Sequence, residues 1–254
     1  MTQKIITVVN QKGGVGKTTT AINVAAQLAG PKTKVLLVDL DPQGNATSGL
    51  GVPKDQAATT TYNVLRGDSQ LADSVSETSV AQLYVLPANA NLAGAEVELV
   101  NRANREYALQ TALKSATYDY IIIDCPPSLG LLTINGLTAA QLVLIPVQAE
   151  YYALEGLSQL LSTIQAVKRS TNSGLELLGI VLTMFDKRNS LSEQVEKEVR
   201  NYFGETLFKT IIPRNVRLAE APSYGKTIFE HDRWSKGARA YKALASEIRS
   251  RLKG

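Results

Sequence analysis

The chain of 254 residues has a single cysteine, Cys125, which excludes an internal disulfide and any site built from several thiolates, such as an iron–sulfur cluster. Its simplest role is that of a small core residue. No apolar run approaches the roughly 18 residues of a membrane span. The first residues, Met1-Thr2-Gln3-Lys4, pass directly into the apolar stretch 5–9 without the small-residue cleavage pattern of a secretory leader. The cytoplasm is therefore the expected location. Internal repeats, low-complexity tracts and long linkers are also missing, and the polar, threonine-rich stretch 51–61 is the one expected to form a mobile loop. What remains is ordinary soluble composition, 44% hydrophobic and 20% charged, at a length that suits one continuous sheet. A single domain over 1–254 is expected.

Charge is unevenly placed. Residues 187–254 hold 15 Lys and Arg against 8 Asp and Glu, whereas residues 1–186 hold 12 against 15. A surface for a polyanion and a solvated helix exterior both account for such a bias, and charge alone leaves the two open.

Short runs rich in Val and Ile recur at 4–9, 35–39, 83–87, 120–124, 142–147, 177–183 and 207–212, and read as buried parallel strands. Amphipathic stretches at 17–29, 94–115, 153–170 and 192–203 alternate with them as crossover helices do. The pattern predicts an α/β fold, a doubly wound, mostly parallel twisted sheet flanked by helices. A last helix over 237–252 places Ala238, Tyr241, Leu244, Ala245, Ile248 and Leu252 on one face, which should pack on the body.

The first strand runs into Asn10-Gln11-Lys12-Gly13-Gly14-Val15-Gly16-Lys17-Thr18-Thr19-Thr20 and then a helix, the context of a phosphate-binding P-loop. Glycines let successive N–H groups turn inward on a phosphate chain, and the helix N-terminus adds its positive end. Lys17 suits the β- and γ-phosphates, Thr18 offers a hydroxyl to Mg²⁺, and Val15 and Thr19 complete the nucleotide-facing loop and first turn. The standard pattern has glycine where this chain has Gln11. A second segment, 35–45, ends a strand in Asp39 and Asp41, whose spacing of two puts both carboxylates on the same side of a strand. They face the carboxyl-end crevice where α/β sheets bind ligands, although paired strand-end caps would look the same. A third, 120–128, is a hydrophobic strand ending in Asp124, as in a Walker B, where the acid meets Mg²⁺ through a water.

The heptapeptide Lys12-Gly13-Gly14-Val15-Gly16-Lys17-Thr18 resembles the deviant Walker A of the ParA/MinD family of P-loop ATPases. Segments 39–51, 146–157 and 212–228 resemble its ParA/Soj-type partition branch. The resemblance implies Mg²⁺-dependent ATP hydrolysis, slow until a partner completes the site. It implies a nucleotide-sandwich homodimer in which Lys12 reaches the facing subunit's phosphates; Asp41 would orient the attacking water and Asp39 would support the switch and metal region. Pro213, Arg214 and Asn215 would lie by the base, with Met184 and Asp186 in the same pocket wall. Arg188 and Arg217, both in the basic segment, would give the dimer non-specific binding to double-stranded DNA on the nucleoid. A ParB-like adaptor would stimulate hydrolysis. A MinD-like membrane-cycling regulator would need an amphipathic tail after the last helix, and the sequence closes on Leu252-Lys253-Gly254, so stable membrane insertion is not expected. A metal-cluster reductase would need cysteines that are not there. The cargo, whether chromosome, plasmid or a protein body such as a carboxysome, stays open.

Overall fold

A computed structural model describes residues 3–150 and 153–253. Among these, seven strands form one sheet: β1 (Lys4–Val8), β2 (Val35–Asp39), β3 (Ser76–Glu77), β4 (Leu83–Leu86), β5 (Tyr120–Asp124), β6 (Leu142–Gln148) and β7 (Glu176–Thr183). Their spatial order is β3-β4-β2-β5-β1-β6-β7, and only the short edge strand β3 runs antiparallel to its neighbour. This is the doubly wound sheet the sequence predicts.

Alternation along each strand builds the two layers. On β1, β2 and β5, residues Ile6, Val35, Leu37 and Ile122 join the layer of the helix Lys17–Leu28 and the final helix Lys236–Arg251. Their neighbours Ile5, Leu36, Val38, Ile121 and Ile123 join the opposite layer, under the helices Leu131–Ala139 and Ala153–Ser170. Burial on both faces explains why these strands read as continuous apolar runs. Each such side chain contributes about 1.5–3 kcal/mol relative to exposure, so the centre of the sheet is a rigid platform for the loops at its carboxyl edge. Cys125 is buried in the second layer, as expected of a core residue.

Three expectations differ from the structure. The segment 207–212 runs extended beside β7, with Phe208 N–H on Ile180 O at 2.8 Å and Ile212 N–H on Leu182 O at 2.8 Å. It is not a strand, because the N–H groups of Lys209 and Thr210 donate instead to the Glu247 carboxylate of the final helix, at 2.9 and 3.0 Å. The stretch 94–115 is not one helix but two short ones, Leu92–Glu98 and Ala108–Leu113, separated by a loop in which Asn104 takes a left-handed conformation. The helix Leu131–Ala139 has no counterpart among the predicted helices: it is buried on nearly every side, so no polar face marks its period. The loop expected at 51–61 runs as far as Thr60, which with Asn63 forms the capping box that starts the helix Thr61–Arg66.

Candidate functional site

β1 lies between β5 and β6. The connection leaving β1 goes to β2 on one side and that leaving β6 goes to β7 on the other, so the chain diverges at the point where α/β sheets bind ligands. The P-loop fills this crevice. Asn10 straps it to β6, its Nδ2 donating to Pro146 O at 2.8 Å while its Oδ1 accepts from Lys12 N–H at 3.0 Å. Thr183 Oγ1 donates to Val15 O at 2.8 Å and ties the loop to the end of β7. Gly14 and Gly16 have φ of 75° and 85°, a conformation that only glycine adopts readily. A Cβ on Gly13 would meet no atom within 4 Å, so that glycine is not required by packing within this subunit.

Lys17 is buried at the start of the helix Lys17–Leu28, and its Nζ donates to Lys12 O at 2.9 Å. Burial lowers its pKa, opposed first by Asp124 and then by Cys125 and Asp41. Lys12 is half-exposed and ion-paired with Glu150, just beyond β6. Its ammonium is thus held by a carboxylate and not by the loop it belongs to.

Strand register sets two acids side by side, and a third, Asp41, lies just beyond the end of β2. Val8 pairs with Asp124, and Asp124 with Asp39, so the P-loop and both carboxylates leave the sheet at one level. Asp39 is fully buried and saturated: one oxygen accepts from Asp41 N–H at 3.1 Å, the other from Thr47 N–H at 2.8 Å and Thr47 Oγ1 at 2.7 Å. Burial raises its pKa to about 6 in spite of these donors. Asp41 accepts from Gln43 N–H at 2.9 Å on Oδ1 only. Asp124 differs from both, for it is fully buried and neither of its oxygens meets a donor in hydrogen-bond geometry. Burial pushes its carboxyl well above the ordinary range, and Asp39 adds to this; the adjacent Thr18 hydroxyl and, more weakly, Lys17 oppose it. An orphaned buried carboxylate beside a hydroxyl fits a divalent cation. Among the described residues no group of three or more His, Cys, Asp or Glu side chains converges as a cation cage, so an ion here would need phosphate and water oxygens as well, as Mg²⁺ commonly does.

A recess of about 350 Å³ adjoins the loop, lined by Gly16, Thr19, Met184, Pro213, Arg214 and Asn215 among others. Met184 holds a left-handed φ of 51° at the end of β7. Tyr241, read from sequence as core, also borders the recess, its hydroxyl 3.0 Å from Thr20 Oγ1. Asp186 does not line it. It lies in the neighbouring groove, where Arg188 Nε and Nη2 bond its two oxygens at 3.0 and 2.8 Å and hold its pKa at about 2. Arg217 lies beside Glu220 at 2.9 Å and Asp232 at 3.7 Å. Glu150, Thr47, Asn10 and Tyr241 are the site residues that motif reading missed, although Glu150 stands inside the segment 146–157 that carries the family resemblance. Tyr151 and Tyr152 of that segment lie outside the described residues.

Glycine-rich loop, buried lysine, helix start and strand-end acids define a P-loop ATPase with a deviant Walker A. Residues 3–177 match a family model described as an AAA domain. The chromosome partitioning protein ParA of Myxococcus xanthus is 56% identical over 98% of this chain and 88% of its own. The sporulation initiation inhibitor protein Soj of Bacillus subtilis is 56% identical over 96% and 98%. The chain belongs to the ParA/Soj family of chromosome-partitioning ATPases. A solved structure described as cobyrinic acid a,c-diamide synthase from Mycobacterium smegmatis, with bound ADP and magnesium, matches with a TM-score of 0.87 at 40% identity, covering 99% of this chain and 96% of that one. The Pyrococcus furiosus cell division ATPase MinD matches at 0.78 and 27%, covering 97% and 98%. No helix among the described residues is long and apolar enough to cross a membrane.

Proposed function

We propose that this chain is a DNA-partition ATPase that closes into a homodimer on binding Mg²⁺ and ATP, binds double-stranded DNA without sequence preference and hydrolyses ATP slowly until a ParB-like adaptor acts. The observation that carries the reading is the division of labour between the two loop lysines. Lys17 is buried where it can neutralise its own subunit's phosphates, while Lys12 is held outside by Glu150 and above Gly13 there is open space for a facing subunit.

Thr18 and Asp124 would hold the Mg²⁺, which would supply neutralisation of phosphate charge. The inward N–H groups of residues 13–18 bind the phosphates, and the recess at Met184 and Pro213 takes the base. Asp41 accepts a hydrogen bond from the attacking water and fixes its line of approach, Oδ1 being steadied by Gln43. Asp39 anchors this segment through Asp41 N–H and Thr47 and so links the water-positioning residue to the helix Asn45–Gly49. Arg188 and Arg217 meet DNA phosphates, which gives affinity without base readout and places the ATP dimer on the nucleoid in the cytoplasm. Size-exclusion chromatography with light scattering tests the cycle. With ATP, wild type and Asp41→Ala should run as dimers and Lys12→Ala as a nucleotide-bound monomer; a Lys12→Ala dimer at wild-type concentration sinks the sandwich arrangement.

A further inference from the structure

The chain has one tryptophan, Trp234, and the fold leaves it 78% exposed on the link 232–235 before the final helix. That link is braced. Asp232 Oδ1 accepts from Trp234 N–H at 3.2 Å, Ser235 N–H donates to Asp232 O at 3.2 Å, and Ser235 Oγ caps the final helix through Ala238 N–H at 3.0 Å. The Arg233 guanidinium lies 5.2 Å from the centre of the Trp234 ring.

A series of contacts also joins this indole to a second exposed ring. Asp232, which braces Trp234, lies 3.7 Å from Arg217; Arg217 pairs with Glu220 at 2.9 Å, and Glu220 with His231 at 3.4 Å. His231 stacks on Tyr224 with ring centres 5.1 Å apart, and Tyr224 is 66% exposed. Arg217 therefore belongs to one contact network with both exposed rings, and Arg233, Lys236 and Arg239, near Trp234 in the chain, are exposed as well.

An aromatic ring held on a braced backbone among cations loses little entropy on stacking and cannot bury itself in its own subunit. Rings interleaved with arginines are what unpaired bases stack on, because every base has an apolar face and each nucleotide brings a phosphate for the neighbouring cation. We infer that Trp234, with Tyr224, forms a base-stacking site for single-stranded DNA beside the duplex phosphate contact of Arg217, which both sites share. The inference rests on the DNA-binding reading above. Braced loops with isolated rings, and no continuous apolar helix face beside them, favour nucleic acid over a lipid surface.

Because Trp234 is the sole tryptophan, its emission reports this site alone. The full chain with Mg²⁺ and a non-hydrolysable ATP analogue would be titrated with oligo(dT), with a duplex of equal length, and with phosphatidylglycerol vesicles. Oligo(dT) should quench the emission strongly and the duplex weakly. By anisotropy of labelled DNA, Trp234→Ala should weaken oligo(dT) binding about 5- to 150-fold, the span of one stacked base, and duplex binding less than about 2-fold. Trp234→Phe, which keeps a ring, should recover most of the loss. Oligo(dT) that binds without quenching, or binds Trp234→Ala as tightly as wild type, overturns the stacking site alone. A blue shift with vesicles and none with oligo(dT) overturns it in favour of a lipid surface. If neither DNA binds at low salt, the DNA-binding reading falls and the stacking site with it.

Discussion

At the phosphate loop, Lys17 is 7% exposed and its ammonium is fixed by a backbone carbonyl; in the C-terminal quarter, the Arg188 side chain is 89% exposed and clasps a carboxylate two residues away. The acids follow suit, Asp39 and Asp124 fully buried at strand ends, Asp186 and Glu220 beside arginines at the surface. Net positive charge in residues 187–254 therefore overstates what is free to attract DNA, since its two leading arginines are already paired. Conversely, residues 1–186 carry net negative charge and yet bury a lysine, Lys17, in the glycine-rich loop. Local arrangement, and not the sum over a segment, decides what an anion meets.

If that contrast holds, substitutions at the buried end should act strongly and one at a time, and those at the surface weakly and through salt. Lys17→Ala should have the largest effect, cutting ATP affinity about 100-fold or more, because a charge-assisted contact of roughly 1.5–3 kcal/mol is lost together with the ion's screening of Asp124. Calorimetric titration of ATP checks this, and affinity within a few-fold of wild type would place phosphate neutralisation elsewhere. Asp41→Ala should keep ATP affinity and lower kcat by about two orders of magnitude, since water is positioned only in the transition state. A phosphate-release assay at saturating ATP measures it.

At the surface, Arg188→Glu and Arg217→Glu should each weaken duplex binding by a similar factor on unrelated sequences and reduce the slope of log K against log salt by about 1.8, two phosphate contacts being lost per symmetric dimer. Asp186→Asn should do the reverse and tighten binding modestly, because it frees Arg188. Anisotropy over a salt series decides both, and equal slopes in all variants would mean that the paired arginines never reach DNA. Glu150→Gln gives the smallest change expected. Release of Lys12 from a half-exposed ion pair, worth about 0.2–1 kcal/mol, should favour the ATP dimer by up to about 5-fold per subunit in sedimentation. A weaker dimer would show that Glu150 serves the closed state instead.

The P-loop was legible in the sequence because its chemistry lies in backbone geometry that glycines specify locally, and Asp39 and Asp124 because each closes a buried strand; Asp41 lies two residues beyond the end of β2, so strand spacing does not place it. Glu150 was not, since its ion pair depends on β6 lying beside β1, and neither was Tyr241, whose period marks it as core while its hydroxyl edges the base recess. Asp186 was expected in that recess from the family resemblance, but it lines the next groove, where Arg188 pairs with it. The strand expected at 207–212 failed for a comparable reason: apolar pairs flank Lys209 and Thr210 there, but Glu247, distant in sequence, takes the N–H groups of those two residues.

That last arrangement bears on crowding. An open sheet has two free margins, each a row of backbone donors and acceptors ready to pair with a neighbouring molecule. Here one margin is the two-residue β3, too short to template anything, and the other is screened by a segment whose own outward donors end on a side-chain carboxylate. Many copies could therefore gather along a common surface without joining sheet to sheet.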